Sequence, residues 1–490
     1  PILRTALVAD ADGEPMQRIA PELVLSLGPV EDLSELPIAE REAELLARMK
    51  ARVAVPIGIG VAPMFRHGLY RLGAQEHVLF FMPHHAIWDG WSFDLFYEEM
   101  AAIYGAFVAG QPHSLAPLPI TYADFAAGQQ QWLASDELRE QVQHWKQRLA
   151  DLPEPLALPA DRSRPPRASG EGSTQWLNCS KALVDAARQF GRNSDATLFM
   201  TLLAAYALLL SRLSGQHDIV IGTPVRGRND SALEKVMGFF VNALPLRLTV
   251  KPEGSFRELV HHVRAAVLDA FGAPDVPFEH LVRELRVARD ESRSPIYQAF
   301  FSFQDARQRL RQWGGLQQEQ VLLFQPGSAE DLGLWFLEHE GGLTGGLTYN
   351  TDIFTGATAQ RLGERFSGVL SAALQAPDMR VDQIDVATPA ERDAIASWSL
   401  GRTMDLPPVT VVELIAAQMQ RTPQNEAIVS SEETLDYAEL DRRANRLARL
   451  LRSRGIGRGA LVGLCLERSP AMLVAPQAIM RAGAAYVPLD

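Results

Sequence analysis

The chain has 490 residues, of which 47% are hydrophobic and 22% charged, a globular composition and a length that allows about two to four structural units. Its formal net charge of −12 argues against nonspecific binding to nucleic acid or to an anionic membrane as the main role. The two cysteines, Cys179 and Cys465, lie far apart and form no CxxC pair, so neither a zinc ribbon nor a disulfide framework is supported. That usage suits a reducing cytoplasm.

In chain order, the N-terminal residues through Val8 read as strand-forming, with no signal-peptide pattern. Residues 40–53 are charged and helical, and residues 54–61 are apolar and strand-like. Residues 62–82 read as a strand pair around Gly68 and Gly73, ending in the apolar run VLFFM at residues 78–82. The GIG at residues 58–60 lacks a third glycine and a following helix, so it is no dinucleotide fingerprint. Pro83 closes the strand, and residues 84–91 (HHAIWDGW) form a compact polar turn. Phe93, Phe96, Tyr97, Met100, Ala101 and Tyr104 then recur at helical spacing, and Ser92 suits the N-cap of that helix.

Further on, residues 136–150 form a helix with Trp145 and Leu149 on one face. Residues 151–174 are rich in Pro, Gly and Ser and read as a linker. A second α/β unit follows: strand 175–177, helix 181–190, buried helix 196–213 and strand 218–222. The apolar run at 196–210 is shorter than the roughly 20 residues that span a bilayer, which favours a core helix. Residues 341–350 (GGLTGGLTYN) alternate with period two, so a hairpin fits better than a phosphate loop. Near Thr388 the character changes: a short helix at 389–398, a loop at 401–408, and helix, strand, helix from Val412.

The turn at residues 84–91 is the place for acid–base chemistry. Imidazole exchanges a proton near neutral pH. Neighbouring side chains in a tight loop cannot point the same way, so at most one of His84 and His85 faces a reacting group. The other, or Asp89, would hold the loop in shape, while Gly90 permits an unusual backbone angle or a close approach. The alternative is a buried histidine pair satisfied by backbone carbonyls. A second pair, His261-His262, sits in a helical stretch with no Asp-Gly behind it and reads as surface or packing.

The string HHAIWDGWS resembles the HHxxxDG core of the condensation domains of nonribosomal peptide synthetases, relatives of chloramphenicol acetyltransferase. Other segments agree, in the right order. Leu3-Arg4-Thr5 is similar to the end of an earlier family motif, which implies that about 50 residues of the first lobe, a typical run of two or three elements, precede Pro1. Tyr122–Ala126 matches YxDFA, IGTPVRGR (221–228) is similar to a family segment, MGFFVNALPLR (237–247) matches GxFVNxxxxR, DVPFE (275–279) matches DxPFE, and RDESRSP (289–295) matches RDxSRxP. Residues 435–440 and 480–490 resemble the first two motifs of adenylation domains.

The resemblance implies an α/β (α+β) fold of two chloramphenicol acetyltransferase-like lobes forming a V with the active site between them, plus an incomplete adenylation-domain N-terminus. The expected division is 1–155 for the first lobe, 156–174 for the linker, 175–387 for the second lobe, 388–411 for a linker and 412–490 for the adenylation fragment. It implies amide formation between a donor acyl or peptidyl thioester and an acceptor aminoacyl thioester. The partners would be donor and acceptor peptidyl carrier domains and the adenylation domain in cis, with no nucleic acid and no membrane. No metal or directly bound cofactor is expected; the phosphopantetheine arms of the carriers enter as substrates. His85 is expected at the reacting amine, with His84, Asp89 and Gly90 completing the catalytic set and the Gly90 N–H a donor to the oxyanion. Arg4, expected to pair with Asp89, would support the site with Trp91 and Ser92, and Asn242 would contact substrate or intermediate.

A condensation domain directly before an adenylation domain fits an elongation module. Gly90-Trp91-Ser92 after Asp89 disfavours an epimerisation domain, and His84 excludes the heterocyclising pattern. A starter-type domain that acylates the first amino acid from acyl-CoA would share every motif. A noncatalytic docking domain is disfavoured by the intact HHxxxDG.

Overall fold

The computed structural model describes residues 1–489 except 308, 310, 311, 324, 325, 340, 341, 406 and 407. It divides into two compact units, Pro1–Ala394 and Ile395–Asp490.

The first unit opens with a hairpin of Thr5–Ala9 (β1) and Pro15–Ile19 (β2). A three-stranded sheet follows, built from Glu31–Asp32 (β3), Phe65–Arg71 (β4) and His77–Pro83 (β5) in the order β3-β4-β5. Helix Ile38–Ala54 (α1) packs on it through Leu45, Met49 and Val53 against Leu33, Tyr70 and Phe80, the apolar stripe that its helical period dictates. Residues 55–61, read as strand-like, are not a strand. Pro56, Gly58 and Gly60 interrupt the run, a backbone bond from Leu7 N of β1 to Ile59 O does not extend into a ladder, and Val55, Ile59 and Val61 are exposed. Helices Gly90–Val108 (α2), Tyr122–Trp132 (α3) and Asp136–Arg148 (α4) follow, the last burying Leu138, Val142 and Trp145.

From Gly172 the chain builds a six-stranded sheet of Gly172–Asn178 (β6), Asp218–Val225 (β7), Asn242–Thr249 (β8), Ala299–Asp305 (β9), Leu332–His339 (β12) and Gly342–Asn350 (β13), ordered β6-β13-β12-β9-β7-β8. Between β9 and β12 lies a short hairpin, Gln312–Trp313 (β10) and Leu316–Gln317 (β11). β12 and β13 form the expected hairpin, closing at His339 opposite Gly342; Gly341 lies outside the described residues. One sheet face carries Phe301, Leu334, Phe336 and Leu347 into a single core with helices Lys181–Asn193 (α5), Leu198–Ser214 (α6), Phe256–Ala270 (α7) and Gly356–Gln375 (α9). The short helix Phe278–Glu284 (α8) packs at its margin. Helix α6 is buried all round from Met200 to Ser211, as its uniformly apolar sequence requires. No single described helix is long and apolar enough to cross a membrane.

The Pro-rich stretch before β6 is not a free tether. Leu156 is buried, the Asp161 carboxylate accepts from Thr355 N and Oγ1 and from Thr358 Oγ1, and Arg164 pairs with the buried Asp331. Helix Pro389–Ser399 (α10) follows. The second unit contains Val411–Arg421 (α11), the hairpin Glu426–Val429 (β14) and Thr434–Asp436 (β15), helix Tyr437–Ser453 (α12), strand Leu461–Leu464 (β16), helix Ala471–Ala482 (α13) and strand Ala485–Pro488 (β17), which pairs in parallel with β16. Leu406 and Pro407 of the expected loop, and Asp490 of the last motif, lie outside the described residues.

Candidate active site

Strand β5 delivers its C-terminal end to a one-turn 3-10 helix at His85–Ile87, and α2 departs at Gly90. Ile87 and Trp88 are buried, and Phe81, Trp88, Phe93 and Phe96 form an aromatic cluster in which Phe81 stacks on Phe96 at 4.6 Å. The turn therefore rests on a packed base, and the polar side chains above it are held in place.

The two histidines have different duties. His84 Nδ1 accepts from Ala86 N at 3.1 Å and so shapes the turn. His85 Nδ1 lies 2.8 Å from the Trp88 carbonyl oxygen. A carbonyl oxygen only accepts, so Nδ1 carries the hydrogen, and a neutral His85 ring presents Nε2 as the basic nitrogen. His85 is exposed, and the edge of its ring contacts Phe239 at 5.1 Å between centroids.

Asp89 is the N-cap of α2, its Oδ1 accepting from Ser92 N at 2.9 Å. The sequence points to Ser92 as the cap; the aspartate displaces it because its carboxylate reaches two donors, Ser92 N and Ser92 Oγ. The buried Ser92 Oγ also accepts from Gly238 N at 3.0 Å. The second Asp89 oxygen accepts from Phe240 N at 3.1 Å.

The expected partner of Asp89 is not the observed one. Arg4 donates to the carbonyls of Ala20 and Pro21 and makes no bond to Asp89, because its short helical turn directs the guanidinium at the chain following β2. The charge is met instead by Arg228, whose Nη1 is 2.7 Å from Oδ2 and whose Nη2 is 3.2 Å from Oδ1. Both side chains are fully buried. Arg228 also donates to Ser92 Oγ and Val236 O, and its guanidinium lies 4.1 Å from the Phe240 ring. IGTPVRGR was the available signal for Arg228, but nothing in the sequence marks which of its arginines turns inward.

Around this pair, Val236, Gly238, Phe239 and Phe240 are each fastened through their backbone. Tyr122 donates its hydroxyl to Phe239 O at 2.7 Å, and burial, with the Asp89 charge adding to it, pushes its pKa up to about 12. Gly90 does not adopt a left-handed angle; a Cβ there would meet the end of the Gln304 side chain at 2.8 Å, a group that can move aside. Trp91 donates its Nε1 to Glu234 O at 2.9 Å. Asn242 is turned elsewhere: its Nδ2 donates to the carbonyls of Pro274 and Val276, and its Oδ1 accepts from Ala243 N and Phe278 N. All its polar capacity fixes the loop before α8, which removes the expected contact with a reacting group. His261 and His262 are both exposed on α7, and His262 Nε2 accepts from Thr249 N, in keeping with the surface or packing reading. Among the described residues no cluster of His, Cys, Asp and Glu has the makings of a metal site.

The histidine loop, locked by a buried aspartate–arginine pair, is thus a rigid candidate site in the same compact unit as the six-stranded sheet. Residues 1–396 match the family model "Condensation domain", and residues 415–490 match "AMP-binding enzyme". The chain belongs to the condensation-domain family of nonribosomal peptide synthetases, and it continues into the start of an AMP-binding domain. It is 39% identical over its full length to a linear gramicidin synthase of Brevibacillus parabrevis and 34% identical to isonitrile lipopeptide synthase of Mycobacterium tuberculosis. It spans about 10% and 20% of their lengths. Among solved structures, a four-domain nonribosomal peptide synthetase bound to AMP and glycine superposes with a TM-score of 0.73 at 26% identity, covering 100% of this chain and 37% of that one. The X-domain from teicoplanin biosynthesis, solved with OxyB, gives 0.68 at 28% identity over 79% of this chain and 85% of that one.

Proposed function

We propose that the first unit forms an amide bond between a donor acyl or peptidyl thioester and an acceptor aminoacyl thioester, each on the phosphopantetheine arm of a carrier domain, in an elongation module. The acceptor amine attacks the donor thioester carbon, the C–N bond forms, the C–S bond breaks, and the proton lost by nitrogen ends on the departing sulfur. A thioester is already activated, so positioning and exclusion of water supply most of what the reaction needs.

The observation that carries this reading is the tautomer of His85. With Nδ1–H committed to Trp88 O, Nε2 is left to accept the amine proton or to orient the amine. The Gly90 N–H, at the free start of α2, is the donor assigned to the oxyanion. In this reading residues 1–155 and 175–387 are two lobes in a V, joined by 156–174, with a carrier at each mouth; 388–411 leads to the adenylation fragment 412–490.

The test mixes the protein with a donor-loaded and an acceptor-loaded carrier and follows carrier-bound product by intact mass. Amide from carrier-bound donor supports elongation. Amide only from acyl-CoA moves the role to a starter domain, and no product from either donor would favour docking.

A further inference from the structure

Beside the histidine loop, the face of α2 bearing Trp91, Asp94 and Glu98 meets a cluster of cations. Each carboxylate there is already taken. Asp89 is held by Arg228, Asp94 pairs with Arg309, and Glu98 accepts from Lys235 at 2.7 and 2.9 Å. Arg226 is the cation left over. Its guanidinium carbon sits 3.2 Å above the Trp91 ring, whose indole is itself fixed to Glu234 O. Among the described residues Arg226 makes no hydrogen bond or ion pair. Glu234 is near enough to act on that charge but forms no salt bridge, and burial together with the neighbouring Arg228 charge lowers the pKa of Arg226. Stacking orients the guanidinium plane and leaves its five donors open at the edge, the geometry that suits a phosphate or carboxylate.

We infer that Arg226, exposed beside the histidine loop, is an anion-binding residue, taking a phosphate or carboxylate carried on a bound thioester substrate. This rests on the thioester reading above. Trp91 is six residues from His85, so their Cα atoms are at most about 20 Å apart. A substrate whose carbonyl is at His85 carries two groups of that kind: the phosphate of its arm, and the side chain of its acyl residue where that is acidic.

The test measures equilibrium binding, so it does not depend on turnover. The probes are nonreactive N-acetylaminoacyl thioethers of pantetheine, with and without the 4′-phosphate, in alanyl and aspartyl forms, titrated into the whole protein and its Arg226→Gln, Arg226→Lys and Arg226→Glu variants. One anionic group should tighten binding to the unaltered protein by about tenfold or more. That gain should vanish in Arg226→Gln, return in part in Arg226→Lys and invert in Arg226→Glu, with the neutral alanyl probe unchanged throughout. Dependence on the 4′-phosphate identifies the arm as the source, and dependence on the aspartyl group identifies the acyl residue. Equal affinity for charged and neutral probes, or an anionic preference that survives Arg226→Gln, overturns the inference. Absence of amide product in the carrier assay, with Arg226-dependent binding intact, would instead sink the thioester-condensation reading alone.

Discussion

Arg228 and Asp89 carry the largest electrostatic stake in the first unit, because neither side chain touches water. Such a pair adds little net stability over an apolar one, but removing one partner strands a buried charge at about 3–5 kcal/mol. Asp89→Asn and Arg228→Gln are each expected to lower the urea midpoint accordingly and to abolish condensation, while the double variant recovers part of the stability and none of the activity. A double-mutant cycle with additive losses would contradict this account. Glu330 makes a second residue-scale prediction. Burial raises its carboxyl pKa to about 7. The folded state therefore holds a proton that the unfolded state releases, so the contribution of Glu330 is present below the ordinary carboxylate range and is lost as pH rises through about 7. Glu330→Gln should flatten the fall in stability between about pH 5 and 8, by no more than about 3 kcal/mol; an unchanged slope in urea unfolding would contradict it.

At the scale of elements, the strand–turn–helix around HHxxxDG was legible because each part obeys a local rule. An apolar run stopped by proline makes the strand, and an apolar stripe at helical spacing makes the helix. What was not legible is the clamp supplied from the second half of the chain. Arg228 and residues 236–240 reach Asp89 across more than 130 residues of sequence, and no periodicity records such a contact. Arg4 was the wrong partner for the same reason, since nearness to a motif in family order says nothing of where a guanidinium points. The turn carrying Arg228 depends on Gly227, which has φ +64° and leaves no room for a side chain: a Cβ would fall 1.9 Å from Phe240 O. Gly227→Ala is expected to cost more than about 2 kcal/mol in thermal unfolding and to lower condensation with it. A variant of undiminished stability and activity would show that the turn does not set the clamp.

At the scale of the molecule, composition and the buried run of α6 foretold a globular core, and the Pro-rich stretch marked a real change of sheet. Composition alone did not show that this stretch is fastened down by Asp161 and Arg164, whose partners lie far along the chain. The proposed function asks one thing of the fold, to hold the basic nitrogen of His85 at the reacting amine. The most direct measurement is the single-turnover rate of carrier-bound amide formation for the unaltered protein and His85→Ala, with saturating loaded carriers and matched unfolding midpoints. Loss of about a hundredfold or more with the fold intact is the predicted result. A His85→Ala rate within a few-fold of the unaltered protein would contradict the central role given to His85.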